Sequence, residues 1–178
     1  STASPRRQRA NQTLHLMTDL PLVFMAMGLF VLMVQIFAAR IPHPYDLEWM
    51  EGGMLLHGAR VEQGLGLYVT PSPDFIPFIY TPLYSWILGL GGHIFELGHG
   101  WGRFVSAVGS LAAAAAIIAA VRGERGSTAV GMGAAALFLT TWDDSGTFMD
   151  LVRTDGLLIG LLGWALVALR HGWIRSGG

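Results

Sequence analysis

The sequence predicts an all-α protein that crosses a lipid bilayer several times. Hydrophobic residues make up 52% of the 178 residues and charged residues only 13%, whereas about a quarter is usual in soluble domains. The apolar residues fall into long blocks such as 21–39 and 102–121, near the ~20 residues that a helix needs to span ~30 Å of hydrocarbon. A helix satisfies its own backbone hydrogen bonds in lipid, and an open sheet edge does not. We therefore predict a transmembrane helical bundle surrounded by membrane lipid.

The chain has a formal net charge of −1 and no cysteine. Without cysteine it has neither disulfides nor thiolate metal sites. No basic stripe with interleaved aromatic residues is present, so nucleic acid is not an expected partner. The sequence also contains no glycine-rich phosphate loop, Ser-His-Asp pattern or zinc motif, and no histidine within a predicted span that favours a bound pigment. We predict no metal site and assign no cofactor.

The N-terminal segment 1–19 carries Arg6, Arg7 and Arg9 ahead of the apolar block 20–39. This block is longer than the 7–15-residue core of a signal peptide and is not followed by a small-x-small cleavage site. We interpret it as an uncleaved first transmembrane helix. Arginines before a span hold the preceding segment in the cytoplasm, so the N-terminus is predicted to be cytoplasmic.

The region 40–101 is predicted to be an outer loop with juxtamembrane helices. Residues 47–63 form a short amphipathic pattern that ends at Gly64 and Gly66. The apolar stretch 78–95 either crosses the membrane or lies at its surface. Glycines interrupt it and leave roughly 14 to 16 continuous apolar residues, which favours an interfacial or re-entrant helix.

The arginines favour a topology in which 78–95 does not cross. Three further spans are predicted within 102–170, followed by a cytoplasmic tail, 171–178. In that arrangement seven of the eleven arginines are cytoplasmic and most acidic residues are outside, whereas an additional crossing would reverse the later loops and lose the positive-inside pattern. The seven are Arg6, Arg7, Arg9, Arg122, Arg125, Arg170 and Arg175. We predict about four spans.

Three carboxylates after the first span are candidate catalytic residues: Asp46, Glu48 and Glu51. Glu48 and Glu51 are three residues apart and share one helix face. Carboxylates that are partly desolvated near a membrane have raised pKa values and can act as general bases or metal ligands. The same pattern also fits a solvated polar face on an outer loop.

Two further patches are candidates for substrate binding. Tyr80 and Tyr84 are four residues apart and can line a groove for a lipid chain, but simple interfacial anchoring is the favoured interpretation. Arg153 and Asp155 precede the last apolar block. They can pair with each other or with a substrate phosphate.

The order of these patches resembles the N-terminal part of polytopic glycosyltransferases of the GT-C superfamily, which includes protein mannosyltransferases and aminoarabinose transferases. The acidic motif corresponds to 46–51, and a Gly-x-x-x-Tyr stretch corresponds to Gly64 to Tyr68. A Pro-Pro-Leu-Tyr-like juxtamembrane helix corresponds to Thr81-Pro82-Leu83-Tyr84, and Arg-x-Asp corresponds to 153–155. The resemblance implies a protein of the bacterial inner (cytoplasmic) membrane. It also implies transfer of a sugar from a polyprenyl-phosphate donor on the non-cytoplasmic face.

In that family a loop carboxylate deprotonates or orients the acceptor. An Asp-Glu pair is usual where this chain has Met50-Glu51, so the resemblance leaves Glu51, Glu48 and Asp46 as alternatives. Family members also have about twice as many spans or more. The chain is therefore either a fragment of a longer enzyme or a truncated homologue.

A truncated homologue would act as a non-catalytic accessory subunit of a larger membrane complex. Other membrane subunits would then contact its small-residue faces, for which the candidates are Gly131, Gly133, 134–136 and 112–116. Small residues allow helices in a membrane to approach closely. The enzyme and the accessory subunit both stay open at this point.

Overall fold

The computed structural model describes residues 5–172, with side chains from Asp19 to Arg170. The described part is all-α, with six helices and no strands, which confirms the predicted fold class. The helices are α1 Pro5–Arg40, α2 Met50–Glu62, α3 Leu83–Phe95, α4 His99–Gly123, α5 Thr128–Thr140 and α6 Thr154–His171. The side chains of the N-terminal arginines and the tail from 173 onward lie outside the described residues.

The helices lie where the apolar blocks predicted them, but α2 and α3 begin later. Glu48 accepts a hydrogen bond from the Met50 N–H and Glu51 accepts one from the Leu47 N–H, so these carboxylates hold the residues before Met50 outside the helix. α3 begins only after Pro82. Proline disfavours helical geometry at the residue before it, which keeps Ile76, before Pro77, and Thr81, before Pro82, out of the helix.

Two helical segments in the described part are long and apolar enough to cross a membrane, Asp19–Arg40 and His99–Gly123. They contain 22 and 25 residues, and at ~1.5 Å per residue each exceeds ~30 Å. The rest of the chain covers little of the first segment. Phe24, for example, is 72% exposed. α3 and α5 have 13 residues each and are shorter, at about 20 Å.

The ends of α1 and α5 meet the starts of α4 and α6. Arg40, at the end of α1, lies over the ring of Trp142, just beyond α5. Its carbonyl accepts a hydrogen bond from Arg103 in the first turns of α4. Ser106 of α4 in turn donates to the carbonyl of Arg153, the residue before α6. The helices α1, α4, α5 and α6 therefore run in alternating directions. We call this end, which also carries the α2–α3 hairpin, the polar end.

Glycines bring α4 and α6 into backbone contact. A Cβ on Gly109 would lie 2.5 Å from the Leu157 nitrogen, and a Cβ on Gly160 would lie 2.4 Å from the Gly109 oxygen. A Cβ on Gly156 would lie 2.4 Å from the Ser106 oxygen. The Gly-x-x-x-Gly spacing of α6 is typical of closely packed membrane helices. This contact fixes Arg153 and Asp155 relative to α4.

Much of the small-residue surface packs inside the chain. Five alanines from 112–116 and 134–136 are at most 3% exposed: Ala113, Ala114, Ala116, Ala135 and Ala136. Ala114 and Ala135 share a buried cluster with Phe37 of α1. These alanines therefore contribute to the internal contacts among the helices.

Candidate functional site

A fully buried ion pair lies beneath the polar end. Glu51 of α2 and Arg103 of α4 both have completely buried side chains. Arg103 Nε donates to Glu51 Oε1 at 2.9 Å and Nη2 donates to Oε2 at 2.6 Å. The backbone N–H groups of Leu47 and Val152 donate to the same carboxylate at 2.6 and 2.9 Å. Each oxygen of Glu51 thus accepts two hydrogen bonds.

These contacts determine the charge state of Glu51. Burial raises its pKa, but the hydrogen bonds from Arg103 and from the Leu47 and Val152 N–H groups outweigh burial and lower it overall. Glu51 is therefore an ionised carboxylate at neutral pH. Its hydrogen-bonding capacity is filled, since a carboxylate offers about four lone-pair positions. A base needs a free acceptor position within reach of a substrate proton, and Glu51 has none in this arrangement.

Arg103 also organises the loop after α1. It donates to the carbonyl oxygens of Arg40, His43 and Tyr45 at 3.1, 2.6 and 2.7 Å. Its guanidinium thus satisfies backbone acceptors that would otherwise be buried without partners. Sequence reasoning did not select Arg103. The available signal was a charged residue at the head of an apolar helix, which marks an ion pair or a functional group.

Arg153 forms the centre of a second group at the polar end. Its Nε donates to Asp155 Oδ2 at 3.0 Å, and its Nη1 lies 3.3 Å from Glu48 Oε2 and 3.0 Å from Met50 Sδ. Tyr80 joins the group through its hydroxyl, 3.8 Å from the same Met50 sulfur. We call Glu48, Met50, Tyr80, Arg153 and Asp155 the Arg153 cluster.

The guanidinium of Arg153 stays charged and has a donor available. Burial lowers its pKa, but Asp155 and Glu48 outweigh burial and raise the pKa overall. The guanidinium carbon Cζ of Arg153 lies 4.0 Å from the centroid of the Phe148 ring, in a cation–π contact. Within the described part of the chain, Nη2 makes no hydrogen bond. Arg153 can therefore bind an additional anionic oxygen.

An apolar groove of about 250 Å³ lies between α3 and α6 beside this cluster. Tyr80 and Thr154 line its polar rim, and Leu157, Leu158 and Leu161 line its deeper wall. Thr154 and Asp155 are also in the first turn of α6, where unpaired N–H groups favour anions. The groove is thus an apolar channel whose polar rim adjoins the Arg153 cluster, since Tyr80 belongs to that cluster and Thr154 follows Arg153 directly.

Tyr84 lies beneath this groove and is buried. Its hydroxyl is 3.0 Å from the Gly102 carbonyl oxygen and 2.8 Å from Ser106 Oγ. Burial raises the pKa of the Tyr84 phenol. The hydroxyl therefore stays protonated and bonds α3 to α4, while the side chain forms part of the groove wall.

Asp46 lies apart from the Arg153 cluster and contacts His99. The Nε2 atom of His99 is 2.6 Å from Asp46 Oδ1, and the Asp46 side chain is half exposed. Asp46, Glu51 and His99 each present a ligand atom, all within 4.8 Å of one another. Because four hydrogen-bond donors already occupy Glu51, only Asp46 and His99 have lone pairs available for a cation.

A third ion pair was not predicted from the sequence. Arg40 Nε donates to Asp150 Oδ2 at 2.6 Å, and Trp142 Nε1 donates to Asp150 Oδ1 at 2.8 Å. Burial raises the pKa of Asp150, and the contacts with Trp142 and Arg40 only partly offset this effect. The pair joins the end of α1 to the loop before α6.

The structure separates the predicted site residues into distinct groups. Glu48, Tyr80, Arg153 and Asp155 lie together in the Arg153 cluster. Asp46 faces His99, whereas the other two predicted residues are in the buried interior: Glu51 and Tyr84. Among the three candidate carboxylates, Glu48 is therefore the one that shares a site with Tyr80 and Arg153.

The comparisons with known proteins returned no relative. No protein-family model, curated protein or solved structure matches the chain.

Proposed function

We propose that the chain is an integral membrane protein in which α1, α4, α5 and α6 cross the bilayer. Two apolar segments of spanning length and the alternating helix directions support this arrangement. α3 contacts α4 near its start, where Tyr84 reaches Gly102 and Ser106, which supports a surface position for the α2–α3 hairpin. The polar end would face outward and the N-terminus the cytoplasm of a bacterial inner membrane.

This orientation is supported by the arginines at the opposite end. Arg122 and Arg125 lie at the end of α4 and just after it, and Arg170 lies in the last turn of α6. Arginine near a span end favours the cytoplasmic side. The polar end would consequently meet substrates on the outer face.

We propose further that the polar end transfers a sugar from a polyprenyl-phosphate donor, in keeping with the resemblance to GT-C glycosyltransferases. The observation that carries this proposal is the position of Arg153, the residue before α6, beside an apolar groove. Arg153 precedes Thr154 directly and shares a contact to Met50 with Tyr80, and both Thr154 and Tyr80 line the groove. A polyprenyl phosphate has the matching chemistry, with an anionic head and an apolar chain. Guanidinium–phosphate hydrogen bonds are among the stronger ones in proteins.

In the proposed reaction Arg153 and Glu48 of the cluster have separate roles. Arg153 Nη2 and the first N–H groups of α6 bind the donor phosphate, and the groove holds the first isoprene units. Glu48 accepts the proton of the acceptor hydroxyl. The acceptor oxygen forms a bond to the sugar C1 as the bond from C1 to the phosphate oxygen breaks, and polyprenyl phosphate leaves. Proton transfer of this kind contributes about 10²–10⁴-fold in rate.

A second candidate function is a non-catalytic accessory subunit of a larger membrane complex. The observation that favours it is the pairing of the charged groups at the polar end. Glu51 pairs with Arg103, Asp150 pairs with Arg40, and Asp155 pairs with Arg153. On this alternative the pairs serve only to hold the helices together.

A transfer assay in proteoliposomes separates the two functions. Polyprenyl-phosphate sugars would be supplied on the outer face, and transfer followed for Glu48→Gln and Arg153→Gln. We expect Glu48→Gln to lower the rate by about 10²-fold or more and Arg153→Gln to raise KM. Arg60→Gln, on the far part of α2, is the matched control and should match wild type. Unchanged transfer in both cluster variants would reject the site. Absence of transfer together with stable co-purification of other membrane proteins would favour the accessory subunit.

A further inference from the structure

A larger groove lies between α4 and α6 and extends toward the end opposite the Arg153 cluster. Its volume is about 440 Å³. Its walls are apolar, and Ala116 and Gly163 keep the two helices close. A Cβ on Gly163 would lie 3.0 Å from the Ala116 Cβ. Ala120, Leu166 and Arg170 line the groove toward the end of α6.

The guanidinium of Arg170 therefore lies at one end of a groove whose other lining residues are apolar. The side chain of Arg170 is 56% exposed and contacts one oxygen of Glu124 through Nη2. A guanidinium has five N–H donors, so this contact leaves donors for another anion. Arg122 and Arg125, at the end of α4 and just after it, add two positive charges near Arg170. Glu124, between them in the sequence, adds one negative charge.

We propose that this groove binds an acyl chain of an anionic phospholipid, whose phosphodiester contacts Arg170. Basic residues beside transmembrane helices on the cytoplasmic side recognise anionic lipid head groups. An apolar channel that ends in a guanidinium matches both parts of such a lipid. The inference rests on the proposed position of the chain in a bilayer, but it is independent of sugar transfer at the polar end.

The test is native mass spectrometry of the purified full chain in mild detergent, titrated with phosphatidylglycerol or phosphatidylcholine. Both lipids carry a phosphodiester, but the choline cation of phosphatidylcholine opposes contact with the Arg170 guanidinium. We therefore expect phosphatidylglycerol to bind more tightly, and Arg170→Gln to weaken phosphatidylglycerol binding by about tenfold with a smaller change for phosphatidylcholine. Arg125→Gln removes the same charge from the same end but does not line the groove, so it should retain binding. Ala120→Leu, which adds volume inside the groove, should weaken binding of both lipids.

Three results would overturn the proposal. The first is equal phosphatidylglycerol binding by wild type and Arg170→Gln. The second is equal loss in Arg170→Gln and Arg125→Gln, which would indicate a diffuse charge effect. The third is a dimer that disappears in Ala120→Leu, which would place a second copy in the groove. Extraction of the chain from membranes by alkaline carbonate would separately reject the bilayer placement.

Discussion

Arg103 and Glu51 form a bidentate ion pair with no exposed side-chain surface, 52 residues apart in the chain. The pair joins α4 to α2. The Val152 N–H also donates to the Glu51 carboxylate, which attaches the loop before α6 to the same pair. Glu48 belongs to the turn that Glu51 anchors, and Arg153 follows Val152 directly. The buried pair thus positions both sides of the Arg153 cluster.

Removing one partner of this pair should destabilise the protein strongly. Glu51→Leu leaves the Arg103 charge buried, and loss of one partner of a buried pair costs about 3–5 kcal/mol. Arg103→Met should cost a similar amount. Arg60→Met is the control, because the partly buried Arg60 side chain makes one hydrogen bond to the Gly66 oxygen and one cation–π contact with Phe75, whose loss should cost only about 1–2 kcal/mol. Reversible unfolding in detergent measures these values. Similar stability of the Glu51→Leu and Arg60→Met variants would show that the pair does not hold the polar end together.

The Glu51 contribution should depend on pH in a defined direction. Its folded pKa lies below the ordinary value of 4.5, so the unfolded chain binds the proton more readily. The stabilisation is therefore complete above about pH 4.5 and is lost as pH falls through the folded pKa. The stability difference between wild type and Glu51→Gln should shrink between pH 6 and about pH 3. A difference that grows on acidification would contradict the assignment. The pKa of Asp150 is raised, so its contribution to stability changes with pH in the opposite direction. Asp150 is present in both wild type and Glu51→Gln, so its contribution cancels in the difference.

The glycine contact between α4 and α6 should tolerate no added methyl group. Gly109→Ala and Gly160→Ala place a Cβ within 2.5 Å of backbone atoms, and overpacking of this kind costs about 1–3 kcal/mol or more. Gly28→Ala is the matched control, since a Cβ at Gly28 would meet no atom of another residue within 4 Å. The control should be neutral or stabilising by up to ~1 kcal/mol, because alanine favours helix. Equal losses at Gly28 and Gly160 would show that the helices do not meet as described.

The two tyrosines should differ in what their hydroxyl groups do. Tyr84→Phe removes a buried hydroxyl that contacts Gly102 and Ser106, at a cost of about 1–2 kcal/mol. Tyr80→Phe removes a hydroxyl whose contact with Met50 is long, so stability should barely change. Donor binding should weaken, because Tyr80 lines the groove that we propose for the donor. Thermal unfolding and binding of polyprenyl phosphate measure the two effects. If Tyr80→Phe lowered stability and Tyr84→Phe weakened donor binding instead, the structural role of the Tyr84 hydroxyl and the binding role of the Tyr80 hydroxyl would both be wrong.

The sequence allowed much of the fold to be predicted, because hydrophobic length and composition act locally. The blocks predicted the helices. α3 is short because it begins only after Pro82, whereas the predicted interruption by glycines was wrong, since Gly89, Gly91 and Gly92 lie within α3. The pair between Arg153 and Asp155, two residues apart, was among the predicted possibilities. Two other ion pairs were not predictable, since each joins residues far apart: Arg103 to Glu51, and Arg40 to Asp150. Glu48 and Glu51 belong to different groups in the structure because Glu51 pairs with Arg103. The sequence pattern alone places both on one helix face and does not distinguish them.

The most direct test of the proposed function is binding of polyprenyl phosphate to the purified chain in phosphatidylcholine nanodiscs. Wild type should bind polyprenyl phosphate about tenfold or more tightly than the corresponding polyprenol, and Arg153→Gln should lose that preference. Arg170→Gln, at the other end, should keep it. If Arg153→Gln retained the full preference for the phosphate, the Arg153 cluster would not be the donor site.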